Sequence, residues 1–251
     1  MARLENISGW LHSAFDSIEG EGMYAGSRAL FVRLAGCNVA CPYCDTREAW
    51  EPHPVKWKLM LADGTREMDN PIAAGDLISY LRPLLMPNMR YLSITGGEPL
   101  LQLDFTRALA HLAHHKWNLT ANLETSGLYP RELAETISDF SHISLDIKLP
   151  SLMNGVENWE LYLQSVKVAS DSMVQVKVVV ARQTTDAEIE QAVELVARVE
   201  SHIPFILQPV DKSCGFAPPD SAQLLHWQEF ALRTLHEVRI VPQIHKVIGV
   251  K

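Results

Sequence analysis

The chain has 251 residues, a length that suits one α/β barrel or two compact halves. Hydrophobic residues make up 47% and charged residues 21% of it, which argues against a disordered, collagenous or fibrous protein. The formal net charge is −8 and no lysine or arginine cluster interrupts this acidity, which argues against a nucleic-acid partner. We therefore expect chemistry on a small molecule.

No apolar run is long enough to cross a bilayer, and the first residues lack the apolar core of a signal peptide. We therefore expect no membrane partner and a cytoplasmic location. Three of the four cysteines fall within eight positions, which is unlike the framework of a secreted disulfide protein. This distribution favours reduced thiols that bind metal.

Short β-branched or apolar runs predict seven strands, and runs with apolar residues every three or four positions predict the helices between them. The predicted strands cover residues 29–34, 91–95, 118–123, 142–147, 173–181, 204–207 and 238–244. The predicted helices cover residues 72–85, 105–115, 131–140, 159–169, 187–200 and 221–236. Asn70-Pro71 and a capping box at residues 185–188 indicate two of the helix starts.

Strands that alternate with helices pair in parallel through right-handed crossovers, with the helices outside. The prediction is therefore an α/β fold, an incomplete parallel β/α barrel of six to seven strands with outer helices. We expect a single domain over residues 1–251. One insertion around residues 51–70 interrupts the alternation, and its Ala62-Asp63-Gly64 turn predicts a hairpin on the rim of the barrel.

The strongest chemical signal is the group Cys37, Cys41 and Cys44, directly after the first predicted strand. Soft thiolates suit zinc or an iron–sulfur cluster, and three close ligands are one fewer than a closed zinc site or most [4Fe-4S] sites need. An iron without a protein ligand can chelate an outside molecule. A structural zinc would instead recruit a fourth side chain, such as Cys214 or a histidine. Both alternatives follow from the spacing.

Polar residues also follow the other predicted strands. They are the 95–99 segment Thr-Gly-Gly-Glu-Pro, the 124–126 segment Glu-Thr-Ser, Asp146 with Lys148, and Gln208. Barrel enzymes build their sites at the carboxyl ends of parallel strands, although Asp146 and Lys148 would also suit a buried ion pair. Glycines at 96 and 97 let backbone approach a ligand, and Glu98 offers acceptors to an ammonium group.

The cysteine spacing, the aromatic Tyr43 before the last cysteine and the Gly-Gly-Glu-Pro turn resemble the radical S-adenosylmethionine (SAM) superfamily. The resemblance implies a partial barrel of the radical SAM type, a [4Fe-4S] cluster on Cys37, Cys41 and Cys44, and SAM bound at the iron without a cysteine. It also implies an electron donor such as flavodoxin or ferredoxin. It assigns SAM contacts to Tyr43, Asp45, Gly97, Glu98, Ser126, Asp146, Lys148 and Gln208.

Four further segments, at residues 15–22, 31–37, 44–46 and 243–246, resemble the 7-carboxy-7-deazaguanine synthase family. That resemblance implies conversion of 6-carboxy-5,6,7,8-tetrahydropterin to 7-carboxy-7-deazaguanine with loss of ammonia, and commonly a homodimer. It implies that Mg²⁺ is required, with Thr46 as its ligand. The substrate contacts that it implies are Ile18, Glu19, Gly20, Arg33, Thr95, Gln243 and His245.

Residue 19 departs from that family, which usually has glutamine there. An amide both donates and accepts hydrogen bonds, whereas an ionised carboxylate only accepts them. If the Glu19 side chain faces the pterin, the change would alter substrate preference or pair with ring N–H groups. If only the backbone is used, nothing follows from the change.

Two other functions share part of this pattern. An activase that makes a glycyl radical on a partner protein would have the cysteines, the 96–98 turn and the 146–148 pair, but the 18–22 and 243–246 segments argue against it. A zinc-stabilised binding module without enzyme activity would share the thiols alone.

Overall fold

The computed structural model describes residues 1–250, and a mixed sheet of ten strands dominates it. Lys251, the last residue of the predicted domain, lies outside the described residues. The strands are β1 (Ser8–Gly9), β2 (Leu11–Ile18), β3 (Arg28–Leu34), β4 (Lys56–Leu61), β5 (Gly64–Asp69), β6 (Ile72–Ala73), β7 (Tyr91–Gly96), β8 (Thr120–Thr125), β9 (His142–Ile147), β10 (Val174–Val180), β11 (Phe205–Pro209) and β12 (Val238–Ile240). The helices are α1 (Ala2–Glu5), α2 (Ala74–Leu81), α3 (Leu103–Trp117), α4 (Pro130–Thr136), α5 (Trp159–Ala169), α6 (Asp186–Ala197), α7 (Ser221–Leu232) and α8 (Ile244–Ile248).

Seven strands form the parallel part of the sheet in the order β3-β7-β8-β9-β10-β11-β12. Each matches a strand predicted from the sequence, and the predicted fold class is confirmed. Every residue of β10 is buried, as expected for a parallel strand that is covered on both faces. Because all seven strands run the same way, their carboxyl ends meet at one edge of the partial barrel.

The eighth neighbour in the sheet, β2, is a strand that the sequence prediction missed. It runs antiparallel to β3, with Phe15 opposite Phe31 and Ser17 opposite Ala29. Polar residues interrupt its apolar pattern, so neither the alternation of a half-buried strand nor a continuous apolar run marks it. The antiparallel register places Leu11 beside Leu34, at the carboxyl end of β3, and Ile18 beside Arg28, at its start.

The predicted hairpin of the insertion is present as β4 and β5, paired from Lys56↔Asp69 to Leu61↔Gly64. The sequence predicts a hairpin on the rim of the barrel, whereas in the structure β4 pairs in parallel with β2 and so extends the sheet. Trp57 of β4 is completely buried, and its indole N–H donates to the Asp69 carbonyl oxygen at 3.2 Å. The hairpin therefore completes the edge of the sheet beyond β2.

The last predicted strand, residues 238–244, is wrong in its second half. β12 ends at Ile240, and residues from Ile244 onward form the short helix α8. Pro242 has no backbone N–H to continue the ladder, and the N–H of Ile244 donates instead to the Gly20 carbonyl oxygen at 2.8 Å. This contact places α8 over the carboxyl edge of the sheet.

The predicted capping box begins α6. The Thr185 side chain accepts from the Glu188 N–H at 3.3 Å, and the Glu188 side chain accepts from the Thr185 N–H at 2.9 Å. The long helices α3, α5 and α6 each bury one apolar face against the sheet. None of the helices in residues 1–250 is both long enough and apolar enough to cross a membrane.

Candidate active site

A cavity of about 210 Å³ opens at the carboxyl ends of the parallel strands. All but one of the predicted site residues line it. These are Ile18, Glu19, Gly20, Arg33, Cys37, Cys41, Tyr43, Cys44, Asp45, Thr46, Thr95, Gly97, Ser126, Asp146, Lys148, Gln208, Gln243 and His245. The structure thus brings residues from most of the chain to the edge where the sequence places the site.

The cysteine loop follows β3 directly and is held from its outer side. The Gly36 N–H donates to the Ala49 carbonyl oxygen at 2.8 Å, and the Cys44 N–H donates to the Cys41 carbonyl oxygen at 2.9 Å. These backbone bonds close the loop on itself, while the three thiols Cys37, Cys41 and Cys44 line the cavity. Cys214 lines the same cavity, and all four thiols are free.

The thiols do not form a site for a single ion. In the part of the chain that the structure describes, no three His, Cys, Asp or Glu side chains converge closely enough to hold one metal ion. A mononuclear zinc site needs about four ligands within about 2.3 Å of the metal.

Glu98 is the exception among the predicted site residues, because it is completely buried and does not line the cavity. Its carboxylate accepts hydrogen bonds from the N–H of Leu100 at 3.1 Å, the N–H of Ser126 at 2.7 Å and the hydroxyl of Thr125 at 2.9 Å. Burial raises the pKa of Glu98, and the hydrogen bonds from the backbone N–H groups of Ser126 and Leu100 oppose the rise. In this arrangement Glu98 supports the loop that presents Ser126.

Gly97, next to Glu98, allows two loops to touch. A Cβ atom on Gly97 would lie 2.0 Å from the carbonyl oxygen of Gly36, a separation that no side chain can adopt. The N–H of Glu98 donates to that same oxygen at 2.8 Å. The turn after β7 is thereby fixed against the start of the cysteine loop, which is the close backbone approach that glycine permits.

Four residues that line the cavity each have a buried side-chain oxygen without a hydrogen-bond partner among the described residues. These oxygens are the Tyr43 hydroxyl, Ser126 Oγ, Gln208 Oε1 and Glu19 Oε1. Buried polar atoms in native proteins nearly always have a hydrogen-bond partner. These two hydroxyl groups and two acceptor oxygens, beside three thiols, fit a large polar ligand next to a metal cluster.

The guanidinium of Arg33 has no close partner. It lines the cavity and makes no hydrogen bond or ion pair within residues 1–250, although its positive charge favours ionisation of Asp45 and Glu124. An arginine in a strand of a folded core ordinarily has a partner. A carboxylate ligand would fit this fork of donors.

An ionic network forms the floor of the cavity. The sequence analysis considered its Asp146–Lys148 ion pair and missed Lys177 and Glu21. Lys177 of β10 forms ion pairs with Glu21 and, at 3.2 Å, with Asp146. Lys148 lies 3.1 Å from the other Asp146 oxygen. Burial alone would raise the pKa of Asp146, but Lys177 and Lys148 lower it overall, so this carboxylate is ionised at neutral pH.

Glu124 joins the network from β8 and accepts a hydrogen bond from the Thr95 hydroxyl at 2.9 Å. One sequence signal did exist for Lys177. A charged residue inside the fully buried strand Val174–Val180 requires a partner, and that partner had to come from a distant segment.

Helix α8 closes one side of the cavity. Lys246 forms an ion pair with Asp45 at 2.9 Å, and the Gln243 amide donates to Glu21 at 2.7 Å and to Asp45 at 3.2 Å. His245 packs directly on Gly20, where a Cβ atom would lie 1.7 Å from its Nδ1. The C-terminal segment thereby connects the cysteine loop with the segment after β2.

Comparisons with known proteins agree with this geometry. The family model described as the Radical SAM superfamily matches residues 32–196, which include the cysteine loop and the strands β7 to β10. The chain is a member of the radical SAM superfamily, whose enzymes carry a [4Fe-4S] cluster and use SAM. The solved structure of a radical SAM methyltransferase from Sphaerobacter thermophilus shares the fold, with a TM-score of 0.64 and 15% identity over 88% of this chain and 67% of that one.

The relatives narrow the family further. The 7-carboxy-7-deazaguanine synthase of Geobacter sulfurreducens is 35% identical over 95% of this chain and 96% of its own length. The 7-carboxy-7-deazaguanine synthase of Methanothermobacter thermautotrophicus is 29% identical over 94% of this chain and 96% of its own length. The crystal structure of QueE from Escherichia coli has a TM-score of 0.60 at 22% identity, with 96% of each chain covered. The chain belongs to the 7-carboxy-7-deazaguanine synthase family.

Proposed function

We propose that this enzyme converts 6-carboxy-5,6,7,8-tetrahydropterin to 7-carboxy-7-deazaguanine and releases ammonia. The observation that carries the proposal is the composition of one cavity, in which an arginine without a hydrogen-bond partner and six carboxyl side chains lie beside the three thiols Cys37, Cys41 and Cys44. A carboxylated, N–H-rich heterocycle has the charges that match this arrangement. Five relatives with the same printed name, each matched over at least 94% of both chains, support it.

The cluster and SAM fit the residues present. Cys37, Cys41 and Cys44 would hold the cluster, and the unpartnered atoms of Tyr43, Ser126 and Gln208, with Asp146 and Lys148, would hold SAM. When bound and reduced, this pair supplies a 5′-deoxyadenosyl radical for hydrogen abstraction. The chain itself binds and orients the substrate and keeps the site enclosed beneath α8.

The direct test is incubation of the anaerobically reduced enzyme with SAM, Mg²⁺ and 6-carboxy-5,6,7,8-tetrahydropterin, with products identified by mass. We expect 7-carboxy-7-deazaguanine and ammonia in equal amounts. Cleavage of SAM without formation of that product would contradict the proposed substrate while leaving the radical chemistry intact.

Arg33 is proposed to bind the substrate carboxylate. Replacing it with alanine should raise KM by about ten- to a hundredfold, since a hydrogen bond to a charged group contributes about 1.5–3 kcal/mol. Arg33→Lys is the matched control, because it keeps the charge but loses the planar pair of donors. Its KM should lie between those of wild type and Arg33→Ala. Iron content should stay the same in both variants. An unchanged KM in Arg33→Ala would show that the carboxylate binds elsewhere.

Thr46 is proposed as the protein ligand of Mg²⁺. Its hydroxyl donates to Asp45 at 3.0 Å, which leaves oxygen lone pairs available to a hard cation. Thr46→Ala should raise the Mg²⁺ concentration needed for half-maximal activity, whereas Thr46→Ser should retain the wild-type value. Identical Mg²⁺ titrations for Thr46→Ala and wild type would remove Thr46 from the site.

The remaining partners are proposals of the same kind. Reduction of the cluster needs a one-electron donor such as flavodoxin or ferredoxin, and we propose a homodimer with a cytoplasmic location. Sedimentation of the loaded enzyme tests the dimer, and turnover with each reduced donor tests the electron source.

A further inference from the structure

Glu19 lies in the wall between two cavities. It lines the large cavity on one side and a small one, of about 20 Å³, on the other. Only 6% of the residue is exposed, and Oε1 is sealed from solvent without a hydrogen-bond partner in the described chain. A carboxyl group in such a position is costly to ionise unless a cation or several donors reach it.

Both backbone polar groups of Glu19 are used by the turn between β2 and β3. Its N–H donates to the Ser27 carbonyl oxygen at 2.7 Å, and its own carbonyl oxygen accepts from the Gly26 N–H at 2.7 Å. The N–H of Glu19 is therefore not free to bind a ligand, and its carbonyl oxygen keeps one lone pair. A hydrogen bond that this residue donates to a substrate must come from the side chain.

No cation neutralises that side chain. Glu124 of β8 and Glu21 from the same loop face it with further negative charge, while Lys177 of β10 is committed to Glu21 and Asp146. Arg33 and His245 line the large cavity without contacting Glu19. His142 of β9 lines the small cavity, and burial lowers its pKa to about 4, so it is neutral.

The neutral groups around Glu19 are Ser93 of β7 and Asn122 of β8. Burial, and then the charge of Glu124, raises the pKa of Glu19 to about 8, although Ser93 and Asn122 oppose the rise. Burial also raises the pKa of Glu124, but Lys177 and Arg33 oppose that rise. Glu19 has no cation beside it, so it is the carboxyl group of this facing pair that holds a proton at pH 7.

We propose that Glu19 binds the substrate as a neutral carboxylic acid, which presents an O–H donor and a carbonyl acceptor side by side. This is the hydrogen-bonding set of a glutamine amide, and it fits a heterocycle edge with an N–H next to an acceptor, as in a lactam or amidine. The identity of the ring rests on the proposed function. An ionised Glu19 would lack the donor and would repel Glu124, so the enzyme loses this contact at high pH.

The protonation state can be measured without turnover. Infrared difference spectra between wild type and E19Q, recorded from pH 6 to 9.5, isolate the carbonyl band of a protonated Glu19. We expect the band at pH 7 and its replacement by carboxylate bands as the pH passes about 8. Carboxylate bands alone at pH 7 would overturn the proposal.

Binding tests the role of that proton. Tryptophan fluorescence reports binding of the unreactive ligand 6-carboxypterin, because Trp50 lines the cavity. For wild type relative to E19Q, the Kd should rise about tenfold per pH unit above pH 8, since the protonated fraction falls by that factor. Titration of the ligand occurs with both proteins and cancels in the ratio. A ratio independent of pH would overturn the proposal.

Stability gives a third readout that needs no ligand. The pKa of Glu19 is higher in the folded chain than its unfolded value of 4.5, so the folded state holds the extra proton. Folding is then favoured at low pH, and this contribution is lost as the pH rises from about 4.5 to 8. The urea concentration at half-unfolding should therefore fall for wild type relative to E19Q as the pH rises across this window. Above the window, the difference between the two proteins should stay constant. Parallel curves throughout would overturn the proposal.

These readouts separate two failures. If the infrared and binding results hold but no 7-carboxy-7-deazaguanine forms, the proposed reaction is wrong and Glu19 still acts as a neutral acid. If the product forms and Glu19 is ionised at pH 7, the reaction stands and this inference fails.

Discussion

Replacing Cys41 with alanine should abolish the cluster and, with it, all cleavage of SAM. Cys41 is buried at the centre of the loop, and two remaining thiolates cannot hold a four-iron cluster. Anaerobic purification followed by iron and acid-labile sulfide analysis should give background values. The cleavage assay should show no 5′-deoxyadenosine above the blank.

Cys214→Ala is the matched control for that variant. Cys214 lines the same cavity but follows β11, far from the motif, and a fourth thiolate ligand would have to be this residue. We expect iron, sulfide and SAM cleavage to be retained in Cys214→Ala. Loss of the metal from both variants, with zinc in the wild type, would support the four-ligand zinc site and contradict the cluster.

Replacing Lys177 with methionine should destabilise the folded protein by about 3–5 kcal/mol, the range for a buried ion pair that loses one partner. Burial alone would lower the pKa of Lys177, but Asp146, Glu21 and Glu124 raise it well above its usual value. These acidic groups would remain buried without their cation. Urea unfolding of the apoprotein under reducing conditions measures the change.

The control for Lys177→Met is Lys56→Met. Lys56 pairs with Asp69 on the exposed hairpin, where solvent screens the interaction. The unfolding midpoint of the Lys56→Met variant should match that of wild type. A Lys177→Met variant as stable as Lys56→Met would show that the floor carboxylates are protonated or hydrated, and that the ionic network contributes little.

The parallel strands could be predicted because each is buried on both faces and so appears as a continuous apolar run, as in Val174–Val180. β2 could not, because its residues Leu11–Ile18 mix polar and apolar types without a period. Pairing with β3 stabilises that strand, and such pairing depends on the tertiary structure and not on the local sequence. The same reason explains the early end of β12, since the N–H of Ile244 donates a hydrogen bond to the carbonyl oxygen of the distant Gly20.

The site was predictable where its residues are close in sequence. The cysteine loop and the strand-end segments each indicate chemistry from local spacing, and the structure brings them to one cavity. The ionic floor was not predictable in this way. Glu21 bonds to Lys177 and Gln243, which lie 156 and 222 positions away, and no local pattern specifies such contacts.

Glu98 shows a different limit of sequence reasoning. Its motif predicts a ligand contact, whereas the hydrogen bonds that its carboxylate accepts in the described chain come from Leu100, Thr125 and Ser126. The motif is therefore consistent with a structural role that carries Ser126 to the cavity. Sequence spacing alone does not distinguish a side chain that touches a ligand from one that supports its neighbour.

Electron paramagnetic resonance of the reduced protein with isotopically labelled SAM tests the central claim most directly. If Cys37, Cys41 and Cys44 are the only protein ligands of the cluster, SAM labelled with ¹⁵N at its amino group should show hyperfine coupling to the cluster spin. A reduced cluster whose spectrum is unchanged by SAM, with no such coupling, would contradict the account.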